Sequence, residues 1–139
     1  MKKLFLLLSL LVGMTKISAQ SLSVAQQDSA FVRENYVKYQ YQISMRDGVK
    51  LFTNVYVPKD ASANNKYPIV MQRTCYDVAP YGKDDYPQML YYSRHMMREK
   101  FIFVEQDVRG RWMSEGTWTN MTPHIANKKA KTDVDEASD

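Results

Sequence analysis

The chain has 139 residues, enough for one domain at most, with 45% hydrophobic residues and a formal charge of +4. Lys2, Lys3 and Lys16 carry most of that excess and all lie near the amino terminus, so the rest is close to neutral and the basic pI is no argument for a nucleic-acid partner. One cysteine, Cys75, excludes an internal disulfide, so stability has to come from a packed core.

Lys2 and Lys3 precede an apolar run, Leu4 to Val12, and Ile17-Ser18-Ala19 offers a small residue before a cut at Gln20. This is the pattern of a signal peptide over residues 1–19. The run falls short of the roughly 20 apolar residues a membrane span needs, and no cysteine near the cut could carry a lipid. The expectation is an exported chain, periplasmic or extracellular, with no stable span after cleavage; an uncleaved amino-terminal anchor is the alternative.

Ala25 to Arg33 suits a short helix. From Tyr36 the period becomes two: Val37, Tyr39, Tyr41, Ile43 and Met45 alternate with Lys38, Gln40, Gln42 and Ser44, which predicts a half-buried strand with the apolar set inward. Asp47-Gly48 is a hairpin turn signal. Lys50 to Val57 returns with Leu51, Thr53, Val55 and Val57 on one side and Phe52 and Tyr56 on the other, as in a strand covered on both faces, and Pro58 ends it. Tyr67 to Arg73 reads as a third strand. Tyr86 to Lys100 has helical character, with Met89, Tyr92 and Met96 on its buried side, widened by Leu90 and Met97. Phe101 to Glu105 is a compact buried strand, continued by Gln106-Asp107-Val108 to the turn at Arg109-Gly110-Arg111. Hairpin, strand, helix, strand implies a mixed α/β sheet.

Several residue groups invite a functional reading. His95 and His124 lack metal-ligand spacing. Asp133, Asp135, Glu136 and Asp139 lack the glycine of a calcium loop and read as carboxylates in the first turn of a helix. Lys128, Lys129 and Lys131 read as a solvated loop. Asp107 and Arg109 are expected to brace the turn after the last strand, and Cys75 to be a small apolar filler. No glycine begins a Gly-x-Ser-x-Gly nucleophile elbow.

Three segments together resemble the CocE/NonD group of α/β-hydrolases, which includes cocaine esterase, α-amino-acid ester hydrolases, cephalosporin acylases and X-Pro dipeptidyl peptidases. They are Met45-Arg46-Asp47-Gly48-Val49-Lys50-Leu51 running on to Val55-Tyr56-Val57-Pro58; Pro68-Ile69-Val70 through Arg73-Thr74-Cys75-Tyr76-Asp77; and Gln106-Asp107-Val108-Arg109-Gly110-Arg111 followed by Ser114-Glu115-Gly116. Met121-Thr122-Pro123 is most similar to the ester hydrolases and acylases. Cys75 stands where the group has proline, and Met113 where it often has glycine or alanine.

The resemblance implies the amino-terminal part of an α/β-hydrolase fold over residues 20–139, with an antiparallel hairpin leading into a mostly parallel sheet. It implies a serine hydrolase of esters, amides or short peptides with no cofactor. It places the Ser-His-Asp triad beyond Asp139 and likens Asp135 to Asp139 to the start of the helix before the nucleophile strand. Tyr76 corresponds to the tyrosine whose hydroxyl contributes to the oxyanion hole; from the sequence pattern alone a packed loop tyrosine is the simpler reading. The third strand would then be a bare edge, and this stretch alone is expected to fold poorly and to hydrolyse no ester. A small secreted binding module, using the tyrosines with Trp112 and Trp118, is the competing reading.

Overall fold

A computed structural model describes residues 21–139; the leader assigned to residues 1–19 lies outside the described residues. The first element is helix α1 (Val24–Asn35). Ser23 opens it with a capping box: its hydroxyl accepts from the Gln26 N–H while the Gln26 side chain accepts from the Ser23 N–H at 2.9 Å. Asp28, buried on α1, is held by Arg94 at 2.7 Å and by Arg98 at 3.3 Å. The hydrogen bond from Arg94 is the main reason its carboxyl lies below the usual carboxylate range.

Strands β1 (Tyr36–Ser44) and β2 (Lys50–Pro58) form the expected antiparallel hairpin, in register from Tyr36↔Pro58 to Ser44↔Lys50. Its turn closes through Met45 N–H to Val49 O at 2.8 Å, with Gly48 at φ +90°. Strands β3 (Ile69–Thr74) and β4 (Ile102–Asp107) pair in parallel, and β4 pairs antiparallel with β2. The result is a mixed four-stranded sheet of order β1-β2-β4-β3, with β3 at one edge.

The hairpin corrects one expectation. The inward side of β1 is the polar one: Lys38 is 4% exposed, whereas Tyr39, Tyr41 and Ile43 are each 40% exposed or more. Lys38 can be buried because its ammonium has carbonyl partners on the loop after β3, donating to Pro80 O, to Gly82 O at 3.0 Å and to Asp85 O at 2.9 Å. Burial still pulls its pKa below the ordinary lysine value. Period two set the alternation correctly but not which set faces the core. β2 is covered on both faces over most of its length, as expected.

The core lies on the Lys38 side of the sheet. Tyr36, Tyr56 and Phe103 from the strands pack with Val32 of α1 and with Leu90 and Met97 from the segment between β3 and β4. On the opposite face the register aligns Tyr39, Val55, Val104 and Met71 in one row, and Ile69 is 67% exposed. Among the described residues no helix covers this face.

The helix expected over residues 86–100 is a second correction. Only α2 (Arg94–Arg98) forms, capped by the Ser93 hydroxyl accepting from Met96 N–H. Pro87 disfavours helical backbone at Tyr86, and Tyr91 and Tyr92 have φ of 50° and 51°, which no right-handed helix tolerates. Leu90 and Met97 are buried, Met89 and Met96 pack against the core, and Tyr92 is 88% exposed instead of inward.

Candidate functional site

The parallel pair β3 and β4 ends at one edge of the sheet, with Thr74 opposite Asp107, so the segments that follow both strands meet there. The carboxyl ends of strands are where open α/β sheets place their ligands. Asp107 organises this edge from a fully buried position. Its Oδ1 accepts from Val78 N–H at 3.1 Å, its Oδ2 from Tyr81 OH at 3.1 Å and from Met113 N–H at 3.4 Å. One carboxylate thereby joins both loops, and desolvation raises its pKa despite these donors.

Tyr76 lies on the loop after β3 and is 79% exposed, so it is not packed into the loop. The peptide unit that carries it is held at both polar atoms. The Tyr76 N–H donates to Thr74 Oγ1 at 2.9 Å; the Cys75 carbonyl accepts from Trp112 Nε1 at 2.9 Å and from Arg111 Nε at 3.3 Å. Cys75 itself is half-buried. The Arg111 guanidinium sits 5.4 Å from both the Trp112 and Trp118 ring centres. Both indoles lie against this cation and remain partly exposed.

Beside Tyr76 is an open cleft of about 490 Å³, lined by Gln72, Thr74, Asp77, Tyr91 and Glu105 among others. Glu105, half-buried on β4, faces Gln72 of β3 and Asn54 of β2. Desolvation pushes its carboxyl up to about 7, against the lowering effects of the Tyr91 backbone N–H and of Lys38. The folded pKa is raised, so the neutral acid is the form the fold prefers. Its contribution is fully present below the unfolded value of 4.5 and is lost as pH rises through about 7. Glu105→Gln should therefore be more stable than the natural chain at pH 8, by up to roughly 3 kcal/mol, with the gap closing below pH ~4.5. Urea titrations across that range check this; an equal gap at all pH values would refute it.

Arg109 was expected to brace the turn after β4, but its side chain bonds outside that turn. It donates to both carboxylate oxygens of Asp47 in the hairpin turn, at 2.7 and 3.3 Å, and to Asp139, with Nε to Oδ2 at 2.9 Å. Residues 136–138 form a turn in which Ser138 N–H reaches Asp135 O, Asp135 Oδ1 accepts from Ala137 N–H at 3.1 Å, and Ser138 Oγ accepts from Asp135 N–H at 2.8 Å. Asp135 is also a hub, accepting from Ile125 N–H and from Lys128 Nζ, each at 2.8 Å, and from the Ser138 hydroxyl. These donors hold its carboxyl far below the usual range, the Ile125 N–H foremost. Lys128 is therefore drawn into the fold and not simply solvated. His124 lies 3.3 Å from Asp135, and His95 is on α2. Among the described residues, no group of three or more His, Cys, Asp or Glu side chains is placed to hold a metal.

Sequence reasoning placed Tyr76, Asp107 and Arg109 at this edge but missed Glu105 and Lys38. An acid directly after the apolar run Phe101 to Val104, still within the strand, was the available signal for the first. For Lys38 no local signal exists, because its partners lie more than forty positions away.

A hairpin followed by a parallel strand–helix–strand unit, with loops converging at the carboxyl edge, is the amino-terminal portion of an α/β-hydrolase sheet. The X-Pro dipeptidyl-peptidase (S15 family) profile matches residues 47–138, and the chain belongs to that family of hydrolases. Two solved structures are similar to it. One is an alpha-amino acid ester hydrolase, 32% identical with a TM-score of 0.58 over 91% of this chain. The other is an aminopeptidase from the marine sediment archaeon Thaumarchaeota archaeon, 25% identical with a TM-score of 0.61 over 90% of this chain. The chain spans 20% of the length of each. Comparison with curated proteins gives no significant match. Among the described residues no helix is long and apolar enough to cross a membrane.

Proposed function

We propose that this chain is the amino-terminal part of an exported serine hydrolase that cleaves small esters, amides or short peptides by acyl transfer, and that Tyr76 supplies the side-chain donor of its oxyanion hole. In this reading a continuation of the chain brings the serine, its histidine base and the orienting aspartate. The serine attacks the carbonyl carbon, histidine takes its proton, and the carbonyl oxygen becomes negative in the tetrahedral state. A phenol O–H fixed at that oxygen, with a backbone N–H beside the serine, stabilises that charge more than it stabilises the neutral carbonyl. The edge strand β3 offers the unpaired backbone beside which the nucleophile strand would lie, which sets the serine next to Tyr76.

The observation that carries the reading is the position of Tyr76: exposed, on a loop pinned to the carboxyl edge of a parallel pair, and open to the cleft. Leader-directed export rests on the sequence of residues 1–19. In the full-length product of the reading frame, Tyr76→Phe should lower kcat on a p-nitrophenyl ester by roughly a hundred- to a thousandfold with KM little changed. Residues 20–139 alone should give no turnover. Full activity of the phenylalanine variant would exclude Tyr76 from the oxyanion hole.

A further inference from the structure

Resting on that reading of Tyr76, we infer that Trp112, together with Thr74 and Arg111, is a positioning residue that fixes the backbone from which the Tyr76 hydroxyl reaches out. Where the Tyr76 hydroxyl can reach depends first on where the backbone places its Cα. The Cys75–Tyr76 peptide plane is constrained at both ends: its N–H is bonded to Thr74 Oγ1 and its carbonyl oxygen to the Trp112 indole and the Arg111 guanidinium. A peptide plane held at both polar atoms cannot swing, and the Cα of Tyr76, which lies in that plane, is held with it.

The Trp112 contact comes from the loop after β4 and is made in an unfavourable backbone conformation, φ +51°. A non-glycine residue keeps such a conformation only where its surroundings over-determine it. The arginine that shares the carbonyl is itself fixed between two indoles, 5.4 Å from each ring centre. The buried Asp107 ties the same two loops together one layer below. The loop after β4 thus acts as a template for the loop after β3, and an oxyanion donor needs that kind of preorganisation, since its value depends on being in place before the charge develops.

The test is a double-mutant cycle in the full-length enzyme, assayed with a p-nitrophenyl ester. Trp112→Phe keeps a ring beside Arg111 and removes only the N–H donor. It should lower kcat about three- to tenfold, as the loss of one neutral hydrogen bond implies, with KM and the thermal midpoint nearly unchanged. In a Tyr76→Phe background the same substitution should cost nothing, because the hydroxyl it positions is gone. Thr74→Val probes the other end of the peptide independently of the indole and should behave alike, with Thr74→Ser restoring the lost rate. If Trp112→Phe and Thr74→Val leave kcat unchanged, or lower it equally with and without the Tyr76 hydroxyl, the positioning role is wrong while the oxyanion reading stands. If Tyr76→Phe alone leaves kcat unchanged, both fall.

Discussion

Alanine at Gly110 is expected to cost at least about 3 kcal/mol of stability and to open the turn after β4. Gly110 sits at φ +68°, with its N–H donating to Glu115 O at 2.9 Å. A Cβ placed there would lie 2.1 Å from Trp118 N and 2.4 Å from Thr117 C, both backbone atoms that cannot turn aside as a side chain could. Gly48 supplies the control. It also has a positive φ, of 90°, but nothing lies within 4 Å of its would-be Cβ. Gly48→Ala carries only the conformational penalty of a left-handed alanine, about 1–2 kcal/mol. Urea denaturation of the two variants separates the contributions, and an equal loss of stability in both would contradict the steric account.

The second large effect is expected at Asp107. Asp107→Ala removes the acceptor of Val78 N–H, Tyr81 OH and Met113 N–H together, and Val78 is itself buried. A buried donor left without a partner costs about 1–3 kcal/mol, so a loss of about that size follows from Val78, while the more exposed Tyr81 and Met113 can turn to water. Asp107→Asn should lie between the natural chain and alanine. Its carbonyl oxygen can still accept from Val78, whereas its amide nitrogen faces the Met113 N–H, donor against donor. A chemical denaturation series should therefore rank the three as Asp, Asn, Ala. Alanine within 1 kcal/mol of aspartate would mean that the loops are joined by something else.

Both residues belong to the segment from Gln106 to Arg111, one of the three that together carry the family resemblance. The hairpin, its Asp47-Gly48 turn and the strand from Phe101 were also legible, because strand alternation and turn chemistry are local. What was not legible depended on distant partners. The inward face of β1 was assigned to the apolar side, since nothing near Lys38 shows that Pro80, Gly82 and Asp85 will supply carbonyls to its ammonium. The segment from Tyr86 was read as one long helix because its apolar spacing suits one, yet Pro87 and the left-handed Tyr91 and Tyr92 break it before Ser93 caps a much shorter helix. At the site, Tyr76 came from a family resemblance and not from any pattern of its own. Trp112 was noticed only, with Trp118, as an aromatic of the competing binding-module reading. Its indole contact with the Cys75 carbonyl is a meeting of two loops 37 positions apart, and spacing rules that work within one helix or strand have no access to it.

Arg109 has a consequence for the order in which the molecule comes together. Its guanidinium joins Asp47, 62 positions earlier, to Asp139, 30 positions later. A β-hairpin on its own closes within microseconds, and this one has its own turn bonds, but the Arg109 brace on Asp47 forms only once the chain has folded back across the first interval. Contacts of such sequence separation slow folding, because loop entropy is spent before they form. The hairpin should accordingly be an early but unlatched structure during synthesis, open to rearrangement until Arg109 reaches Asp47. Arg109 thus ties the turn of the first two strands to a residue far downstream of them.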